Sequence, residues 1–381
     1  MTSDGTRVRA ALGAARFLDC DLVIDLPDRH PSAHAAMQID LTLDGERIAH
    51  VDPRIGLMHR SVEKLFEARD YRQVLMLASR HDWLGSFSGE HGAALVIEEA
   101  LGITPPERAR WSRTLLAELT RVSAALAFLA IIESPVTDGP GEASLRIREA
   151  CVQHLELATG NRVHPMITRI GGLGLPLTPE WLEATTPLME QVRTHLAEVG
   201  RSLDSPRRGL VGLAPLAHQT ALSLGASGPV GRASGVELDA RRIRPYDAYP
   251  ECQDLLARAP SHEGDARARY AALSDDALAA VAIVDRCVAT LAKLGEGPID
   301  VPLPKVIRVP EGQTYRLVET PLGITGFWLV SAGDRAPWRL KLRTPSFSHV
   351  QAMADALRGT PLTDLTAAVA SFFLVVGDID R

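Results

Sequence analysis

The side chains able to do chemistry lie in short strings spread along the 381-residue chain. Pro27-Asp28-Arg29-His30-Pro31-Ser32-Ala33-His34 sets two histidines in a proline-bounded stretch. An imidazole near neutral pH can donate a proton or a hydrogen bond to a reduced oxygen. Arg80-His81-Asp82-Trp83 carries a cation and an indole, whose N–H donates but cannot accept. His164 follows Asn161 in a turn-rich stretch, and Glu118-Leu119-Thr120-Arg121 pairs opposite charges one helical turn apart. Each string also has a bland explanation. His34 can simply pack in a loop, Arg80 can make a surface ion pair, His164 can be a core histidine, and Trp83 can fill space with a large ring.

The four cysteines, Cys20, Cys151, Cys252 and Cys287, form no CxxC pair. Their spacing signals no zinc knuckle and no iron–sulfur cluster held by this chain. No GxGxxG follows a strand, and no GxxxxGK[ST], HExxH, GxSxG or SxxK occurs. An enzyme that used NADH alone would need a dinucleotide site, and none is visible.

The positioning elements follow from periodicity. Met37 to Val51 predicts a hairpin turning at Asp44-Gly45, because Ile39, Leu41 and Leu43 alternate with polar neighbours. Ser61 to Leu101 is helical in pattern, ending at Gly102 and Pro105-Pro106. Glu107 to Ile132 predicts a long helix with Trp111, Leu115, Leu119 and Val122 on one stripe, and 133–142 a loop. Further helices are predicted over about 145–159, over 179–199 with Thr178 as cap and Pro187 as a kink site, and behind a Ser274 cap. The segment 223–235, rich in Gly, Ser and Ala, predicts loop or tightly packed backbone. Strands are predicted over 315–318, 326–330 and 338–342 with a Gly333-Asp334 turn, then a helix over about 350–357. The fold class expected is α+β, mostly helical. Hydrophobic residues at 46% and charged residues at 23% fit a globular chain, and a net charge of -6 gives no nucleic-acid surface. No secretory signal is evident, and Ala124 to Ile132 is too short an apolar run to span a bilayer.

Taken together, the strings resemble the hydrogenase-like quinone-site subunit of respiratory complex I, its D-type component. Pro27 to His34 is similar to the family's GPQHPxxHG, and Ile55-Gly56-Leu57-Met58-His59-Arg60 with Glu63-Lys64 to its IGxxHRxxEK. Arg80 to Trp83 sits where the family has R-x-D-Y, and Glu118 to Arg121 matches its E-L-x-R. Thr159-Gly160 through His164 to Arg169-Ile170-Gly171-Gly172, and Arg232 to Val236 with Pro245-Tyr246 and Tyr249, continue the order. Glu319 to Gly323, Arg343 to Phe347, and Gly377-Asp378-Ile379-Asp380-Arg381 close it.

The resemblance implies a helix bundle like the [NiFe]-hydrogenase large subunit, with small antiparallel sheets from the N- and C-terminal regions. Residues 1–26 are expected as an extension and 27–381 as one domain: sheet over 27–55, bundle over 56–297, sheet and closing segment over 298–381. The hydrogenase cysteine pairs would fall near Asp82 and Gly85 and near residue 381, where none stands, so no metal is expected on this chain. The resemblance further implies a translocase subunit of an NADH:quinone oxidoreductase, inactive alone. Its partners would be an iron–sulfur small subunit, other complex-I-like subunits (a C-type component and a membrane arm) and no nucleic acid. Quinone is the implied substrate, with a [4Fe–4S] cluster in the partner, NAD elsewhere in the assembly, and a peripheral place on the cytoplasmic face of the cell membrane. His34 matches the histidine that bonds a quinone carbonyl, Trp83 replaces the tyrosine on the other side of the headgroup, and Arg80 and His164 match the residues facing the cluster. His59, Arg60, Glu63 and Glu118 match family positions too, though charged pairs between helices explain them equally. Three departures, Trp83, Ser134 in place of an aspartate and Ile324 in place of an acid, keep a second reading open: a redox subunit that retains the cluster interface but serves a non-quinone substrate. A third reading, a non-catalytic interaction protein, sits poorly with Arg80 and His164.

Overall fold

The computed structural model describes residues 6–12, 22–25, 37–132, 141–256 and 261–381. His34, Ser134 and Cys20 lie outside them.

The first sheet has the order β2-β1-β3-β4, from β1 (Arg7–Leu12), β2 (Leu22–Asp25), β3 (Met37–Asp44) and β4 (Arg47–Arg54). The hairpin forms as predicted, with Gly45 at φ 61 in its turn, a backbone state that favours glycine. The segment 1–26, expected ahead of the domain, supplies two strands of this sheet. β1 pairs antiparallel with β3, placing Val8 opposite Leu41 and Ala10 opposite Ile39, and β2 pairs parallel with β1. Val8 and Ala10 bury on the same face that β3 turns to the core.

Three helices follow where one helical region was expected: α1 (Val62–Glu67), α2 (Tyr71–Ala78) and α3 (Ser86–Leu101). Asp70 opens α2 through a capping box, accepting from Arg72 N and Gln73 N at 3.0 Å while Gln73 reaches back. That start signal, inside an apolar-periodic stretch, divides the region. α4 (Glu107–Ile132) spans the predicted range and is buried along nearly all its length. By length and composition it could cross a bilayer, but it is the central helix of the core. α5 (Gly141–Thr159) packs on it, followed by the two-residue strands β5 (Thr168–Arg169) and β6 (Gly172–Leu173). α6 (Pro179–Ser202) is capped by Thr178, whose hydroxyl accepts from Trp181 N, and carries Pro187 inside it.

The short helix α8 (Gly228–Ala233) forms within the Gly- and Ser-rich segment, flanked by α7 (His218–Ser223) and α9 (Ala240–Ile243). α10 (Ala266–Leu294) starts eight residues before the expected Ser274 cap. Asp265 is the cap, accepting from Ala268 N at 2.8 Å, and Ser274 is a buried helix-interior residue. Ala266, Ala268, Tyr270 and Leu273 all bury, so core packing extends the helix past the weaker local signal. A three-stranded sheet, β7 (Gly312–Thr320), β8 (Gly323–Ser331) and β9 (Arg339–Arg343), is antiparallel throughout. α11 (Pro345–Ala356), α12 (Leu365–Ala370) and α13 (Val376–Ile379) complete the described chain. Among the described residues the architecture is helical with three small sheets, antiparallel except for the β1–β2 pair.

A buried ion network crosses the centre. Glu118 on α4 accepts from Arg121 at 2.9 Å, Arg241 at 3.3 Å and Tyr249 Oη at 2.5 Å. Arg241 also binds Asp239 at 2.7 Å, and Arg232 binds Asp276 on α10 and Glu319 on β7. Arg121 donates onward to the carbonyls of Glu319 and Thr320. Burial pushes the Glu118 carboxyl up, but Arg121 and Arg241 overcome it and hold it below its usual range. Beside this network, Arg113 forks onto Glu98 at 2.6 and 3.0 Å, and His91 meets Asp247 at 2.5 Å.

Glu118→Ala removes the carboxylate that two buried guanidiniums share, and the unfolding free energy of the purified chain should fall by about 3–5 kcal/mol in a urea titration. Arg162→Ala, which breaks an exposed pair with Glu149, should leave the urea midpoint in place. A pH effect follows from Glu90 on α3. Its carboxyl accepts from Thr168 N at 3.0 Å and Ile167 N at 3.2 Å, and burial pushes it up from 4.5 to about 7. A raised carboxyl stabilises the fold fully below its unfolded value and loses that contribution as pH rises through the folded value. The urea midpoint should therefore decline between about pH 5 and about pH 8, and Glu90→Gln should flatten that decline.

Candidate functional site

Between α1, α2 and the segment from Val376 to Arg381 lies a cavity of about 550 Å³. Aliphatic side chains from α1 and α2, Val62, Leu65 and Leu77, form its apolar wall. Arg80, His81, Trp83 and His164 form the chemical wall, facing Gly377, Asp380 and Arg381.

The chemical wall is built where α2 stops. Arg80 N donates to Leu77 O at 3.0 Å as the helix ends, and residues 80–85 cross to α3 in irregular backbone. Asp82 holds that crossing in shape: its Oδ1 accepts from Leu84 N at 3.1 Å and Gly85 N at 2.9 Å, ahead of the first turn of α3. Burial, then the nearby Asp378 charge, pushes the Asp82 carboxyl up to about 7. The opposite wall comes from α13. Asp378 Oδ1 accepts from His81 Nδ1 at 3.1 Å, its Oδ2 accepts from Ser346 N at 3.1 Å, and its carbonyl accepts from Thr344 Oγ1 at 2.6 Å. Burial works against ionisation of Asp378, but the His81 and Ser346 donors prevail and keep its carboxyl below the usual range. Asp380 clamps the loop before α1, accepting from Gly56 N at 2.7 Å and Met58 N at 2.8 Å. Arg381 Nε donates to Leu342 O at 2.9 Å and lies 3.5 Å from Glu63.

Trp83 is seated against Gly377. A side-chain carbon added there would come within 2.5 Å of both the Trp83 ring and the His81 carbonyl, so only glycine admits the indole. On the other side Arg80 Nη2 contacts Met166 Sδ at 3.2 Å, close to His164. Burial first, then the Arg80 charge, lowers the His164 imidazole pKa, and its Nδ1 is buried without a partner. Trp83, Arg80 and His164, drawn from two separate strings, thus line one cavity. His34, the fourth expected site residue, lies outside the described residues. Ile324 is buried in β8, with Ser227 on its amide and Arg343 on its carbonyl, away from the cavity.

Sequence reasoning did not assign roles to His81, Asp82, Asp378 or Asp380. His81 and Asp378 stand 297 positions apart, and no local pattern joins them. The one available signal was that both fall inside strings that matched in order. Among the described residues no group of three or more His, Cys, Asp or Glu side chains is arranged to hold a metal ion. Cys151, Cys252 and Cys287 are each buried and unbridged.

The sequence matches the family described as respiratory-chain NADH dehydrogenase, 49 Kd subunit, over residues 142–308 and 301–381. It is 43% identical to the NADH-quinone oxidoreductase D 2 subunit of Streptomyces griseus, covering 95% of this chain and 93% of that one. It is 44% identical to the D 1 subunit of Streptomyces coelicolor, over 95% of each chain, and 41% identical to the D 2 subunit of Salinispora arenicola over the full length of both. Matches of this depth over nearly every residue mean that the chain belongs to the 49 Kd subunit family of respiratory-chain NADH dehydrogenases.

Proposed function

We propose that the chain is a subunit of a complex-I-like NADH:quinone oxidoreductase. With a small subunit bearing a [4Fe–4S] cluster, it forms the pocket in which quinone is reduced. The observation that carries this reading is the cavity that gathers Trp83, Arg80 and His164 between α1, α2 and α13. About 550 Å³ lies in the range of small-molecule sites, and its walls are mostly apolar with a few polar groups. Trp83 and His34 take the two sides of the headgroup, with His34 donating a proton or hydrogen bond. Arg80 and His164 face the partner's cluster, where a cation and a hydrogen-bond donor raise its reduction potential. NADH is oxidised elsewhere in the assembly, which sits on the cytoplasmic face of the cell membrane through its partners. The fold we assign is that of the hydrogenase large subunit with its metal site emptied: Asp82 and Gly85 occupy positions where thiolates would be needed.

The seating of Trp83 supports a second reading, in which the cluster interface is kept and the substrate is not a quinone. The indole cannot accept a hydrogen bond, and its ring takes the space over Gly377.

Affinity isolation of the native chain with mass spectrometry of its partners, followed by an NADH:decylubiquinone assay, tests the first reading. An iron–sulfur small subunit, membrane subunits and inhibitor-sensitive turnover are the expected result. The small subunit without quinone turnover favours the second reading, and the chain alone sinks both. In the same assay Trp83→Ala should raise the KM for decylubiquinone about tenfold or more, by loss of ring contact worth roughly 1.5 kcal/mol. Arg80→Met should lower the cluster's midpoint potential in a redox titration, because it removes a neighbouring positive charge.

A further inference from the structure

The cavity beside Trp83 has more cations than anions on its walls. Three guanidiniums line it, from Arg60, Arg80 and Arg381, against the single carboxylate of Asp380. Asp380 is already occupied: its Oδ1 accepts from Gly56 N at 2.7 Å and its Oδ2 from Met58 N at 2.8 Å. Arg381 is occupied too. Its Nε donates to Leu342 O at 2.9 Å, its Nη1 donates to Thr344 Oγ1 at 3.2 Å, and Glu63 lies 3.5 Å away. Arg60 and Arg80 differ from it. Both are exposed, and among the described residues neither forms an ion pair. The neighbour of Arg80 Nη2 is a neutral thioether, Met166 Sδ at 3.2 Å. The charge is felt across the wall, since burial and then Arg80 lower the His164 imidazole pKa. In a cavity walled by Met58, Val62, Leu65 and Leu77, low dielectric strengthens the pull of such a cation on an anion. A guanidinium donates and cannot accept, and its planar fork matches the two oxygens of a carboxylate.

We propose that Arg60, together with Arg80, binds an acidic group on the molecule this cavity takes, so that the substrate class is an aromatic acid: a flat ring bearing a carboxylate. The proposal rests on the cavity being the substrate pocket. On the quinone reading the substrate is a quinone ring with an acidic substituent, and on the second reading it is another aromatic acid. Its ring lies against Trp83 and the aliphatic wall, where apolar surface is already gathered. Its carboxylate meets the guanidiniums, which the chain itself leaves without a counter-charge. Arg80 is also assigned to the partner's cluster, so Arg60 carries the selective role. A neutral ring of the same shape gains the apolar contacts and none of the charge-assisted bonds.

The test compares naphthoate with naphthamide, its neutral isostere, by titration calorimetry on the intact assembly at low salt and neutral pH. The expected result is that naphthoate binds about tenfold tighter, and that the preference shrinks as salt is raised. Arg60→Gln should abolish the preference, and Arg60→Lys, which keeps the charge and loses the fork, should keep part of it. In the NADH:decylubiquinone assay naphthoate should raise the apparent KM without lowering kcat, which places the anion where the quinone binds. Equal affinity of the wild type for both probes overturns the proposal, and so does a preference that survives Arg60→Gln. Naphthoate that binds without raising the KM of an active assembly overturns it too, because the anion then sits elsewhere. An Arg60→Gln assembly that does not form has the same consequence, since Arg60 would then hold the structure and not a ligand. A wild type that prefers naphthoate through Arg60 but does not reduce decylubiquinone sinks the quinone reading alone and leaves the acid site in place.

Discussion

Three guanidiniums, Arg121, Arg232 and Arg241, lie sealed in the interior with Glu118, Asp239, Asp276 and Glu319, and the elements around them are held in place by these ion pairs. Leaving one of these charges without its partner costs about 3–5 kcal/mol, a large share of a domain's net stability, so each partner must arrive in place. The partners come from α4, the short helices α8 and α9, the long helix α10 and the strand β7. Four carboxyls meet three guanidiniums, and the surplus appears at Glu319, whose carboxyl is held above its usual range by burial and then by Asp239. The network locks β7 to the bundle, since Arg121 and Arg232 grip Glu319 from side chain and backbone alike.

That lock reaches the cavity through the β7–β8–β9 sheet. β8 and β9 are tied to β7, and β9 carries Leu342, whose amide is held by Glu63 of α1 and whose carbonyl is held by Arg381. Asp380 in turn pins the loop at Gly56 and Met58. The cavity is therefore walled by three pieces of chain that are distant in sequence, joined by charge-assisted hydrogen bonds at their ends. Such an arrangement keeps its geometry while apolar side chains from α1 and α2 line the cavity.

Much of this was legible in the residues. α4 and α6 follow from helical periodicity with clear stops, and the β3–β4 hairpin from alternation around Asp44-Gly45. The ordered strings singled out Trp83, Arg80 and His164, and the folded chain sets all three on one cavity wall. Local signals misled where tertiary packing was the stronger influence. Ser274 has the form of a cap, yet Asp265 starts the helix, because four apolar residues between them gain more by burial than a serine cap returns. Residues 7–12 and 22–25 carry weak strand signals, and become strands through pairing with β3.

By itself the sequence determined the fold class, the helices α4 and α6, the hairpin, the lack of cysteine pairs for a metal and the family. These are set by local periodicity, residue chemistry and the order of short strings, all of which survive without coordinates. Only the tertiary structure decided that His81 meets Asp378, that Gly377 makes room for Trp83, and that Asp380 closes the cavity onto Met58. Those contacts join residues about 300 positions apart. Their spacing along the chain carries no period, and only the folded path between them brings their atoms within bonding distance.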